Sequence, residues 1–291
     1  MTYHVAGIGE ILWDRFPDGD RLGGAPANFA FHAGQLGATS RIISRIGRDA
    51  DGDRLAGLLE ERDLSGDYLQ RDPVYPTGIV RVELNQGQPS YVIESPVAWD
   101  YLELTDELKS FASRLDAICF GTLAQRNAAS RGTIQEIIRL TSPNTLRVFD
   151  INLRQDFYTR EIVEFGLSQA SVVKCNDEEV SRLAELCGWQ RRTEVVVSEI
   201  FKHYPVQWIA ITKGAEGCEI HARDKMVRAV APTVNCVDAV GAGDAFSAAL
   251  VMGLLANRPL DEIAHHANQV GAYVASQPGA MPRLPLEYQQ S

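Results

Sequence analysis

Short runs of apolar, often β-branched residues alternate along this chain with longer stretches of helical period. Residues 2–9, TYHVAGIG, predict a first strand. Pro26 followed by ANFAFHAGQLGA predicts a helix with proline in its first turn and Gly37 near its end. SRIISRIG at 40–47 predicts a second strand and DGDRLAGLLEERD at 51–63 an amphipathic helix. DAICFG, TLRVFDI, ASVVKC and VQWIAIT are further strand-length apolar runs, most of them separated by helical patterns. Strands buried on both faces with crossover helices between them predict an α/β fold, a doubly wound and mostly parallel sheet flanked by helices.

One region breaks the alternation. In TGIVRVELNQGQPSYVI, at 77–93, Val80, Val82 and Leu84 alternate with Arg81 and Glu83, and Asn85-Gln-Gly87 supplies a turn. This is a hairpin pattern. It fits an edge hairpin of the main sheet, or a small β lid joined by the chain around Leu12 to Phe16, and local pattern does not choose between them.

Composition narrows the partners. The chain has 291 residues, 45% of them hydrophobic, and a formal charge of -10, which argues against nucleic acid or an anionic membrane as the main partner. An anionic small ligand remains compatible, because a helix start binds phosphate without net positive charge. The five cysteines are odd in number and contain no CxxC pair, so a reducing cytoplasm is expected rather than a disulfide framework. MTYHVAGIGEILWD lacks the features of a secretion signal, and SAALVMGLLA at 247–256 is too short for a membrane span. The six histidines show no metal-binding spacing such as HExxH.

The candidate chemistry concentrates at glycine-rich junctions. In DAVGAGDAF, at 238–246, Gly241, Ala242 and Gly243 stand just before Asp244 and an apolar helix. Small residues there let successive N–H groups reach an anion. Asp244 fits two roles, a plain N-cap or a base that takes a proton from a substrate hydroxyl. Neither GIGEIL at 7–12 nor GAGDAF at 241–246 completes a dinucleotide fingerprint, and a Walker A loop is absent. LGGAPANFA at 22–30 reads as a second Gly-Gly turn leading to a polar Asn28 within an apolar helix. DINLR at 150–154, NDEE at 176–179 and ITKGAEG at 211–217 place polar or glycine-rich sequence at the ends of predicted strands, where open α/β sheets bind ligands.

Taken in order, LGGAPANFA and DAVGAGDAF resemble the amino-terminal and carboxy-terminal signatures of the ribokinase-like, or PfkB, family of carbohydrate kinases. The resemblance runs from Gly7 to about Pro282. GEILWD, GGAPANFAFHAGQLGA, ISRIGRDADG, PVAWD and DINLR look in particular like bacterial fructokinase-like members.

That resemblance implies one ribokinase-like α/β domain over 1–291, with a lid formed by about 11–18 and 76–99. It implies Asp244 as catalytic base and the backbone of Gly241, Ala242 and Gly243 as anion hole. Asp14, Gly24 and Asn28 match sugar-binding positions, with Arg154 within reach of a phosphate or an acidic sugar. Asn176 and Glu179 match a motif associated with magnesium and phosphate, Glu179 acting on Mg2+ indirectly. Thr212, Gly214 and Gly217 match the nucleotide-binding turn, with Asn268 near the adenine. Asp238 and the segment from Gln277 to Ala280 resemble the family's monovalent-cation loops, which implies K+ beside Mg-ATP.

One position departs from the pattern, since Ala239 stands where the family signature has threonine. The implied activity is ATP-dependent phosphorylation of a sugar, fructose to fructose 6-phosphate first, with 2-keto-3-deoxygluconate as the rival acceptor. A non-catalytic sugar-binding protein and a nicotinamide oxidoreductase are the alternatives from other classes. A homodimer through the apolar face of the lid is also expected.

Overall fold

The computed structural model describes residues 2–17, 19–85 and 88–289, the side chains of 82–91 excepted. In chain order its strands are β1 (His4–Ile8), β2 (Leu12–Phe16), β3 (Gly19–Gly23), β4 (Thr39–Gly47), β5 (Leu69–Asp72), β6 (Gly78–Asn85), β7 (Gln88–Ile93), β8 (Ala117–Phe120), β9 (Leu146–Asp150), β10 (Val172–Asn176), β11 (Trp208–Thr212), β12 (Cys218–Ala222) and β13 (Met226–Ala229). The helices are α1 (Ala25–Gln35), α2 (Ala50–Glu61), α3 (Asp106–Ala112), α4 (Ala128–Leu140), α5 (Arg160–Gln169), α6 (Asp177–Cys187), α7 (Thr193–His203), α8 (Ala242–Leu255), α9 (Leu260–Ala275) and α10 (Leu286–Gln289).

Nine strands form one sheet in the order β13-β12-β11-β10-β9-β8-β1-β4-β5. Seven of them, from β11 to β5, pair in parallel, and β12 and β13 close one edge antiparallel. Successive side chains on a strand point to opposite faces, and here each face meets its own core. Ala6, Ile8, Ile118, Phe120 and Val173 pack on one side with Ile134 and Ile137 of α4. Val5, Ala117, Cys119 and Val172 pack on the other with Phe29 of α1 and the apolar residues of α8 and α9. Burial on both faces is why these strands read as continuous apolar runs rather than alternating ones. The chain winds outward in both directions from β1, so the sheet changes direction between β1 and β8. Ligands bind outside the carboxyl ends of the strands at such a point.

The second sheet has the order β3-β2-β6-β7. It unites the two predicted lid segments, with Leu12 to Arg15 running parallel to Gly78 to Arg81. It also includes β3, beyond the two predicted segments; Gly19–Gly23 pairs antiparallel with the preceding strand β2 and ends in the Gly-Gly turn expected at 22–30. Asp49 anchors the root of this sheet. Its carboxylate accepts from the Gly52 N–H as the N-cap of α2, and from both the N–H and hydroxyl of Thr77 just before β6, at 2.7–2.8 Å. Of the apolar positions of the hairpin, Val80 is buried within its own chain. The turn residues Gln86 and Gly87 and the side chains of Val82 and Leu84 lie outside the described residues. Among the described residues no helix is long and apolar enough to cross a membrane.

Candidate active site

The candidate residues lie at the carboxyl ends of β9, β10 and β11, at the amino ends of α1, α6 and α8, and on β2 and α9. Gly241 is the N-cap of α8 at φ +80, and a Cβ there would stand 2.6 Å from the Ala280 carbonyl oxygen. Glycine is therefore required twice over, by backbone conformation and by space. A Cβ on Gly243 would stand 2.9 Å from Lys174 Nζ. The bare loop thus threads between the 280 segment and a buried lysine. The N–H groups of Gly243 and Asp244 have no carbonyl one turn back to donate to, as at any helix start.

Asp244 accepts a hydrogen bond from Asn28 Nδ2 at 2.7 Å. Burial pushes its carboxyl up to about 6 and the Asp150 charge adds to this, while Lys174, the Asn28 amide and Arg154 work in the opposite direction. The plain N-cap role is not the one adopted: Gly241 is the cap, and α8 has no side-chain cap hydrogen bond.

Behind the loop lies a buried polar group that sequence pattern did not single out. Lys174, 7% exposed, lies 3.2 Å from both oxygens of Asp150. Ser247 Oγ is 3.3 Å from Asp150 Oδ2 and donates to the Gly243 carbonyl at 3.0 Å. Burial works against the charge on Lys174, yet the carboxylates of Asp150, Glu179 and Asp244 hold it above the usual lysine range. The signal was present, since Lys174 is the only charged residue in the apolar run ASVVKC.

Asn176 and Glu179 form a capping box at the start of α6. Asn176 Oδ1 accepts from the Glu179 N–H at 2.8 Å, and Glu179 Oε2 accepts from the Asn176 N–H at 2.9 Å. Glu179 Oε1 accepts from the Leu153 N–H at 2.9 Å, tying α6 to the DINLR loop. Arg154 at the end of that loop is exposed, and its charge acts on Glu10, Asp14, Glu179 and Asp244 together.

Asp14 on β2 packs against Gly23 of β3. Burial and the charge of Asp238 push it up to about 6 against the pull of Arg154 and Arg21. Gly24 is the N-cap of α1. Asp238 accepts from the Val240 N–H at 3.0 Å and from the Gly279 N–H at 3.2 Å, joining the two segments assigned to a cation loop.

Thr212 ends β11, and Gly214 and Gly217 lie in the 3-10 turn leading to β12. Asn268 is buried on α9, its amide donating to the Ala229 carbonyl of β13 at 2.9 Å. These four lie along the β11 to β13 edge, whereas two pairs, Asn28 with Asp244 and Lys174 with Asp150, flank the start of α8, with Ser247 bridging Asp150 to the Gly243 carbonyl. Among the described residues no group of three or more histidine, cysteine, aspartate or glutamate side chains is placed to hold a metal ion.

With that geometry in place, likeness to known proteins is specific. Residues 19–286 match the family described as pfkB family carbohydrate kinase. The chain is 32% identical over 304 residues to a fructokinase of Escherichia coli, covering 98% of this chain and 97% of that protein. Its fold matches an uncharacterized sugar kinase of Pyrococcus horikoshii in complex with ATP at a TM-score of 0.81 and 29% identity, over 95% and 94% of the two chains. It also matches a fructokinase of Vibrio cholerae holding fructose, ADP and calcium, at 0.82 and 25% identity over 98% and 96%. Family, relatives and fold define an ATP-dependent sugar kinase. The chain belongs to the pfkB family of carbohydrate kinases.

Proposed function

We propose that the protein transfers the γ-phosphoryl group of ATP to a hydroxyl of fructose, giving fructose 6-phosphate. The observation that carries the mechanism is the contact of Asn28 with Asp244 at the glycine-rich start of α8. Asp244 takes the proton of the attacking hydroxyl, and its raised pKa keeps it basic enough for this while leaving it ionised at neutral pH. Asn28 holds the carboxylate in place, and Asp14 and Gly24 line the sugar. The 241–243 backbone receives the transferring phosphoryl oxygens, whose charge needs positioned donors more than covalent chemistry.

The site fits such ligands on two counts. At the α8 start the Gly243 and Asp244 N–H groups have no carbonyl one turn back, while the Ala242 N–H donates to the Ala239 carbonyl at 3.3 Å, and the buried Asn28 Oδ1 has no hydrogen-bond partner among the described residues. Mg2+, when bound, supplies charge neutralisation on the nucleotide phosphates. Both Glu179 oxygens are already engaged by backbone N–H groups, so Asn176 and Glu179 would hold that ion through water. Thr212, Gly214, Gly217 and Asn268 would line the nucleotide. The bridge from Asp238 to Gly279 supports a K+ site in that loop. The β3-β2-β6-β7 sheet acts as a lid that excludes water as a competing acceptor. It ends on β3 and β7, edges through which two copies would pair.

Fructose is favoured because fructokinases of similar length are among the relatives. The exposed Arg154 supports 2-keto-3-deoxygluconate as a second reading, since a guanidinium suits a carboxylate. The test is ADP release from Mg-ATP with fructose, ribose, 2-keto-3-deoxygluconate, glucose and adenosine. Turnover highest with fructose is expected; preference for the acidic sugar would move the assignment to the second reading.

A further inference from the structure

Glu10 lies beyond β1, inside the apolar run Gly7-Ile-Gly-Glu-Ile-Leu-Trp13, and is only 3% exposed. The N–H groups of Glu10 itself and of Ala25, at the start of α1, hydrogen-bond its carboxylate. Its Oε2 is buried and has no hydrogen-bond partner among the described residues. Buried carboxylates are normally satisfied on both oxygens, because an unpaired one loses its hydration for nothing. Glu179 in the same site shows the usual pattern, with Oε1 on the Leu153 N–H and Oε2 on the Asn176 N–H. Glu10 departs from it.

The surroundings give the reason. The charge of Asp244 acts on Glu10 and that of Arg154 opposes it. Asn28, three residues beyond Ala25, binds Asp244 through Nδ2 and also leaves its buried Oδ1 without a partner. Two acceptor atoms, one from the end of β1 and one from α1, are thus left open beside the proposed base. A ligand rich in hydroxyl donors would fill such a pair.

We infer that Glu10 is a specificity residue whose Oε2 accepts a hydrogen bond from a sugar hydroxyl other than the one Asp244 deprotonates. The inference rests on reading this end of the sheet as the sugar site. Burial pushes the Glu10 carboxyl up to about 7, and a donated hydroxyl favours its ionised form.

The test compares wild type with Glu10→Gln on fructose and on its 1-deoxy, 3-deoxy and 4-deoxy analogues. A lost hydrogen bond to a charged group raises KM about tenfold or more, with kcat changed far less. For one deoxy sugar that penalty should vanish, wild type and variant then having the same KM. An unchanged KM for fructose, or the same penalty with every analogue, would overturn the proposal. Glu10→Asp, which keeps the charge and withdraws it by one methylene, carries the same comparison if Glu10→Gln does not fold. Should wild type prefer another sugar, fructose is lost as the substrate while the deoxy series of that sugar still decides Glu10.

Discussion

Asn28 donates from Nδ2 to Asp244 Oδ2 at 2.7 Å across 216 residues of sequence, fastening the first turn of α1 to the first turn of α8. The bond favours the ionised carboxylate and counts among the effects that hold the Asp244 pKa down. Asn28→Ala should therefore lower kcat/KM by about 10–100-fold, the range for a hydrogen bond to a charged group. It should also move the acid limb of the pH profile to higher pH. Steady-state kinetics from pH 5 to 8 measures both.

In the wild-type protein kcat/KM should fall as pH drops from about 7 through 6, as Glu10 and then Asp14 and Asp244 take up protons. A base of this kind loses activity roughly tenfold per pH unit below its pKa. The profile at saturating Mg-ATP checks it.

Lys174→Met removes the cation that opposes the raised pKa of Asp244 and leaves Asp150 without its ion-pair partner, so the acid limb should again move upward. Breaking a buried pair on one side costs about 3–5 kcal/mol of stability. The double variant Asp150→Asn/Lys174→Met should recover part of that loss in urea titrations.

Gly241→Ala forces a side chain into φ +80 and against the Ala280 carbonyl. Strain of this kind costs about 1–3 kcal/mol. A lower Tm together with a fall in kcat is expected, because relief of the clash displaces the anion-hole backbone. Gly37→Ala, also at positive φ but with open space around it, should cost stability and leave kcat intact.

Glu10 gives a stability test that needs no substrate. Its folded pKa of about 7 lies above the ordinary 4.5, so the folded state binds more protons between those values. Stability from this group is present below about pH 4.5 and is lost as pH rises through 7. Glu10→Gln escapes the loss, so relative to wild type the variant should gain up to about 3 kcal/mol at pH 8 and little at pH 4.5. Urea melts at the two pH values measure the difference.

Much of this was legible in the chain. The strands with both faces buried announced themselves as apolar runs, and DAVGAGDAF pointed to the start of α8 because only small residues fit there. β3 was missed although β2 lies just upstream, because GDRLG is polar, bounded by glycine and carries no apolar alternation to mark a strand. β5, β12 and β13 are short, and their polar residues hide a strand period. Lys174 and Glu10 were passed over for a common reason. Each is a lone charge in an apolar run, and its meaning depends on which groups the fold brings to it: Asp150 and Ser247 near one, Ala25 beside the other.

The most direct test of the mechanism is Asp244→Asn, which keeps shape and removes the base. Turnover of the accepted sugar with Mg-ATP and calorimetric binding of that sugar would be measured side by side. Loss of kcat by about 10²–10⁴-fold, with sugar binding retained, is the expected result. A variant that turns over within a few-fold of wild type would contradict the role given to Asp244.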